Sequence, residues 1–283
     1  LLPLSRTIIS PGIPLNFNRS VQAQLAPAAK GEFDILGLRA EPPLNQGEIY
    51  RVQARIPEPT AKQLRDAGED YPEWIIDRYL GLPEEISPRV VALASELTSD
   101  LDNSFDKVTN ITNYLRQTIT YEEEMERPPI GKDVMEWFLF DYQKGFCNYY
   151  ASAEVLLLRS IGVPARLSVG FASGEINEIG SVYTVRKKDS HAWPEVYFPG
   201  IGWVEFEPTV SQLPIVRPLG EPVNDDTSPG RLDDGLDPIP DDLPEQTESG
   251  QEFLEGLVDT NQDDENKVLE TIILIATASA GFG

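Results

Sequence analysis

The chain has 283 residues, with 47 acidic against 23 basic side chains, a formal charge of −24, one cysteine and one histidine. That length holds one large or two small domains, with room for a real core. The acidic balance and the lack of a basic stripe exclude a nucleic-acid partner, and one cysteine excludes an internal disulfide framework or a multi-cysteine metal site.

Residues 1–30 hold few turn or periodicity signals and read as loop or edge strand. FDILGLRA and EIYRVQARI, between Phe33 and Ile56, alternate in the manner of strands, with a turn expected at Asn45-Gln46-Gly47. Together, residues 1–56 read as a β-rich N-terminal extension. The proline-rich stretch 57–87 reads as a connector with one short helix in YPEWIIDRYLGLP. Ser87-Pro88 carries the signature of an N-cap followed by proline at the first helical position, opening a helix to about Leu97. A second helix is expected from Phe105 to Gln117, with Val108, Ile111, Thr112 and Leu115 on one face. The irregular ERPPIGKD and then VMEWFLFDYQKGF lead to Cys147. The helix beginning there carries Ala151, Val155 and Leu158 on one face and stops at Gly162 and Pro164. Strands are expected at Ala165–Ser173, Val182–Arg186, His191–Phe198 and, after a Pro199-Gly200 turn, Trp203–Pro208. Helices first and sequential strands after predict an α+β fold with an antiparallel sheet.

Residues 57–212 therefore read as a core, and 213–266 as an acidic, proline-rich disordered linker. Between Glu221 and Glu265, sixteen acidic residues face the single Arg231, so over half of the net charge sits in that segment. Residues 267–283 form an apolar segment. Its run Val268–Phe282 is shorter than the ~20 residues needed to span a bilayer, and it reads as the start of a transmembrane helix rather than a closing strand. The chain opens on Leu1 without a signal-peptide pattern, and is read as part of something longer.

Neither Cys147 nor His191 has a second copy, so any cysteine chemistry must use this pair. A thiol in the first turn of a helix meets the positive end of the helix dipole, which favours thiolate. The open backbone N–H there can donate to a developing oxyanion, and Gly145 allows close approach just before it. An imidazole at the start of a strand can serve as the base. Taken singly, Cys147 is equally a small buried hydrophobe and His191 a hydrogen-bonded strand residue, and spacing alone leaves both open.

The surrounding residues go further. GFCNYYASAEVLLLRSIGVPARLSVGF followed by DSHAWPEVYFPGIGWVEFEPT resembles the transglutaminase-like superfamily, in which a cysteine–helix–GIPAR block, an HAW block and a GW…DPT block occur in this order. YPEWIIDRYLGLPEEISPRVVALASEL and NYLRQTITYE are similar to the membrane-anchored bacterial transglutaminase-core proteins of the TgpA type. The resemblance covers about residues 45–212. It implies a papain-like, transglutaminase-core fold, with Cys147 as nucleophile, His191 as base and later acid, and Glu207 as the acid that orients the imidazole. It also implies a protein or peptide substrate, a place outside the cytoplasm, and contact with the membrane through flanking segments. Glu207 stands where many members have aspartate in DPT, and its extra methylene changes the backbone offset required. Asp189 and Glu205 are rivals for that role. If Phe198 pairs with Gly202 around a three-residue turn, Trp193 lies opposite Glu207 and His191 is its diagonal neighbour, whereas a two-residue turn turns Glu207 away. Trp137 and Gln143 are candidates for a second oxyanion contact or the groove wall, and Arg166 for a structural ion pair. No cofactor is called for, and no calcium-loop motif is present. The same three residues serve amine transfer, deamidation and peptide cleavage, and a non-catalytic binding domain is the reading from another class.

Overall fold

The computed structural model describes residues 5–28, 33–176 and 182–220. Its centre is a three-helix layer on an antiparallel sheet. Helix α3 (Pro88–Thr98) opens on Ser87, whose hydroxyl accepts from the Arg89 N–H, with Pro88 in the first turn. Helix α4 (Ser104–Thr118) opens on Asn103, whose side chain accepts from the Asp106 N–H at 2.9 Å. Its Val108, Ile111, Thr112 and Leu115 recur at helical spacing and are all buried. Helix α6 (Cys147–Ser160) runs through the middle, burying Ala151, Leu157 and Leu158, and ends just before Gly162 at φ +81°.

The sheet that α6 covers has the order β12 (Gly202–Glu205), β11 (Ser190–Phe198), β8 (Ala165–Phe171), all antiparallel. Ala192, Val196 and Phe198 of β11 are buried at alternating positions, the period expected for a strand with one face in the core. Pro199 and Gly200 occupy the centre of the connecting turn, with Gly200 at φ +75° and the Ile201 N–H donating to the Phe198 carbonyl at 3.1 Å. That combination is the type II signature.

One expectation for the strands needs correction. Val182–Arg186 does not join the main sheet; only β10 (Tyr183–Thr184) is regular, and it pairs with β9 (Glu175–Ile176) in a separate ribbon. The chain leaves the sheet at Gly174, whose φ of +66° and closeness to the Thr184 carbonyl admit no side chain. In the N-terminal region, read as loop or edge strand to Lys30, three strands form, β1 (Ser5–Thr7), β2 (Ile13–Phe17) and β3 (Val21–Pro27), and β1 and β3 are the edges of their sheet. Strand β4 (Phe33–Leu44) takes β1 on one edge and β3 on the other, which leaves β5 (Val52–Arg55) to pair with β2. The turn at Asn45–Glu48 forms, but the strands it joins are not partners.

The connector holds two helices rather than one, α1 (Ala61–Asp66) and α2 (Glu73–Tyr79). The signal for α1 is a reciprocal capping box in Thr60 and Gln63. The extension meets the core through Asp34, only 6% exposed, which accepts from Arg166 at 2.9 Å and from the Tyr79 hydroxyl. Arg166 also pairs with Glu195 of β11 at 2.7 Å and lies over the Trp203 ring, so its part is structural. Residues 213–220, placed in the linker by composition, run back along the core, with the Pro218 and Leu219 carbonyls accepting from the Ala61 and Lys62 N–H groups. The rest of that segment and the apolar run 268–282 lie outside the described residues. Among the described residues no helix is long and apolar enough to cross a membrane.

Candidate active site

The segment before Cys147 is held by backbone pairing. β6 (Thr120–Tyr121), directly after α4, runs parallel to β7 (Lys144–Gly145); Thr120 donates to the Gln143 carbonyl at 3.0 Å and Glu122 to that of Gly145 at 2.9 Å. Upstream, α5 (Val134–Glu136) widens into a π-helical turn, Trp137–Tyr142, and Gln143 closes it at φ +52°. Such wide turns and left-handed non-glycine residues concentrate at functional sites. At Gly145 a Cβ atom would lie 2.8 Å from the Phe138 ring, so only glycine lets the chain pass between Phe138 and Tyr149 into α6. Phe146 then supplies no side-chain cap. The first-turn N–H groups beside the half-buried, free Cys147 thus have no side-chain acceptor from the cap position.

His191, the second residue of β11, lies opposite Gly170 of β8. Trp193 stacks parallel to the imidazole, with centroids 6.0 Å apart. Its ring occupies the space above Gly170, where a Cβ would come within 2.8 Å. The hairpin register is the one a three-residue turn requires: Phe198 pairs with Gly202 and Glu195 with Glu205, and the Phe206 N–H donates to the Pro194 carbonyl at 3.0 Å. Continuing it puts Glu207 diagonal to His191, and Glu207 Oε2 lies 2.6 Å from His191 Nε2. The other carboxylate oxygen, Oε1, accepts from the Thr209 N–H at 2.8 Å. Arg116 of α4 donates to the carbonyls of Glu207, Thr209 and Gln212 at 3.0, 2.7 and 2.9 Å, pinning the backbone that carries the acid.

Both side chains of this pair are enclosed, at 8% and 9% exposure, so their charges are poorly screened. Burial works against protonation of His191, yet hydrogen bonds and charge attraction from Cys147 and Glu207 outweigh it and lift the imidazole to about 9. With Nε2–H directed at the carboxylate, Nδ1 is the nitrogen left for the thiol.

The structure therefore brings Cys147, His191 and Glu207 together. The rivals stand elsewhere: Asp189 accepts from the Arg186 N–H in a short turn, and Glu205 is exposed. Trp137 is buried and stacks on Tyr142 at 4.3 Å, while the Gln143 side-chain amide reaches back to the Leu139 carbonyl at 3.5 Å. Tyr121 is an addition that residue-by-residue reading missed. Burial, with Glu123 and Cys147 nearby, pushes it up to about 12, and the only sequence signal for it is its place in NYLRQTITYE. Among the described residues no group of three or more His, Cys, Asp or Glu side chains could hold a metal ion.

Residues 91–208 match the family described as the transglutaminase-like superfamily. The chain is 36% identical over 217 residues to the uncharacterised protein YebA of Bacillus subtilis (strain 168), covering 74% of this chain and 28% of that one. It is 33% identical over 181 residues to a protein-glutamine gamma-glutamyltransferase of Pseudomonas aeruginosa, covering 62% of this chain and 25% of that one. The chain thus spans about a quarter of the length of these curated relatives. The crystal structure of the periplasmic domain of TgpA from Pseudomonas aeruginosa superposes with a TM-score of 0.52 at 28% identity, over 70% of this chain and 66% of that one. In sequence and in fold, this chain carries a transglutaminase-like domain of the TgpA type, matched to the transglutaminase-like superfamily over residues 91–208.

Proposed function

We propose that the domain is a cysteine acyltransferase acting on glutamine in protein or peptide substrates. The observation that carries this reading is the arrangement of one imidazole between a thiol at a helix start and a buried carboxylate 2.6 Å from its far nitrogen. Cys147 is the nucleophile. With His191 holding the proton, its thiolate adds to the side-chain carboxamide carbon, and the oxyanion that forms is met by open N–H groups of the first turn of α6. Collapse breaks the C–N bond, His191 gives its proton to the departing ammonia, and a thioester remains. An incoming primary amine then loses its proton to His191 as it attacks the thioester, giving an isopeptide bond and the free thiol. Glu207 keeps the imidazole in the tautomer that presents Nδ1 to sulfur and balances its charge. Water in place of the amine gives deamidation, and a main-chain amide as acyl donor gives peptide cleavage; these hydrolytic outcomes are the alternative reading.

The likeness to a periplasmic domain supports a place outside the cytoplasm, and tethering to the membrane through flanking segments belongs to the same proposal. Sedimentation of the full-length protein with membranes, resisting high salt, is the expected result; quantitative recovery in the soluble fraction would overturn the tether.

The activity is tested by incubating the domain with a glutamine-rich protein and a tagged primary amine, with Cys147→Ala as control, and reading products by mass spectrometry. Cysteine-dependent amine incorporation is expected. Cysteine-dependent hydrolysis alone would replace transferase with hydrolase, and identical products from both chains would overturn the catalytic reading.

A further inference from the structure

The buried acid Glu154 has no part in the chemistry above. It lies two turns after Cys147 on the same face of α6 and is fully buried. Its Oε1 is 2.7 Å from the Thr112 hydroxyl of α4, and its Oε2 has no protein partner among the described residues. The Thr112 hydroxyl is also 3.0 Å from the Val108 carbonyl, the turn-back bond of a helical threonine. A hydroxyl has one proton and a carbonyl can only accept. Both contacts are hydrogen bonds only if Thr112 donates to Val108 and Glu154 donates to Thr112, and the carboxyl must then carry a proton. An ionised carboxylate in the same place would hold a buried charge with one oxygen unpaired, which is far more costly than a neutral carbonyl oxygen in that state.

Thr112 and Arg116 are one turn apart on α4, and they hold Glu154 and the Glu207 backbone respectively. The titratable group facing Glu154 from the segment after β12 is Glu207. Burial pushes the Glu154 carboxyl up to about 8 and the Glu207 charge adds to it; only a Thr112 hydroxyl turned to donate to the carboxylate would work the other way, at the cost of its bond to the Val108 carbonyl. The Arg116 guanidinium, already donating to three carbonyls, is the cation on the facing side of α4.

We propose that Glu154 is a positioning residue that works as a neutral acid: its proton ties α6 to α4 through Thr112 and keeps a second negative charge away from Glu207. This rests on the reading of Glu207 as the acid that orients His191. Deprotonation leaves Thr112 with two acceptors for one proton and adds a buried negative charge that repels Glu207. Glu154 thereby imposes an alkaline limit on the site.

The test needs no substrate, so it is independent of whether the domain transfers acyl groups. Infrared spectra of the native chain at pH 7 should contain the carbonyl stretch of a protonated carboxylic acid. Glu154→Gln, which can donate to Thr112 but cannot ionise, should abolish that band. It should also remove an inflection near pH 8 from the titration of the His191 ring resonances, leaving a single step. Thr112→Val takes away the acceptor and should shift the band to higher frequency, which keeps the test valid if the glutamine variant does not fold. Absence of the acid band in the native chain at pH 7 would overturn the proposal, as would a band unmoved by Thr112→Val or identical His191 titrations in native and Glu154→Gln chains.

Discussion

Glu207→Gln keeps the length of the side chain and an acceptor oxygen for His191 Nε2–H, and removes the charge that faces the ring at 2.6 Å. In the native site the imidazole is raised from 6.5 to about 9 although burial opposes it. That difference corresponds to about 3 kcal/mol in favour of the imidazolium, and Glu207 shares it with Cys147. A hydrogen bond to a charged acceptor exceeds its neutral counterpart by roughly 1 to 1.5 kcal/mol, so the His191 midpoint should fall by about one pH unit or more. The assay is unusually clean, since His191 is the only histidine in the chain and the imidazole nitrogen resonances need no assignment. Cys147 shares in raising His191, so Cys147→Ala should be measured alongside and should also lower the midpoint. Acyl transfer by Glu207→Gln should drop roughly tenfold or more, because the imidazolium loses its balancing charge. A midpoint that stays near the native value in Glu207→Gln would refute the assignment of Glu207 as the group that raises His191.

The pH dependence of stability follows with a definite sign. A histidine raised in the folded state contributes stability that is present below about 6.5 and lost as pH rises toward about 9. Unfolding free energy should therefore fall across that window by up to ~1.4 kcal/mol per pH unit, and His191→Gln should flatten it in denaturant titrations; an equally steep fall in the variant would contradict this. Arg116→Met should lower stability by about 2 to 4 kcal/mol, since three carbonyls lose a charged donor. Its activity should fall even in conditions where the variant is fully folded, as the backbone bearing Glu207 loosens; native turnover in the folded variant would show that the pin is dispensable.

Much of the site was legible in the chain because its signals are local or singular. Cys147 and His191 have no copies to choose among. Ser87-Pro88 and the periodicity of α4 act within a turn of helix, and Pro199-Gly200 marks the hairpin turn, while the loop length that decides the face of Glu207 comes only from the pairing of Phe198 with Gly202. These signals depend on the backbone preferences of neighbouring residues, so they survive without knowledge of the rest of the fold. Helix α1 also carried a local signal, in the Thr60–Gln63 capping box.

Other features depend on groups far apart in sequence. Arg116 meets the Glu207–Gln212 backbone across about ninety residues, Thr112 meets Glu154, and Asp34 reaches Arg166. No periodicity or turn chemistry encodes which arginine will find which carbonyl. The same holds for strand pairing in the N-terminal region, where alternation marked β4 and β5 as strands but their partners were set by which edges were already filled. The state of Glu154 lies furthest from sequence reading. A glutamate on a helix is ordinarily a solvated charge, and only full burial in the tertiary structure, against Thr112 of α4, removes the water that would keep it ionised.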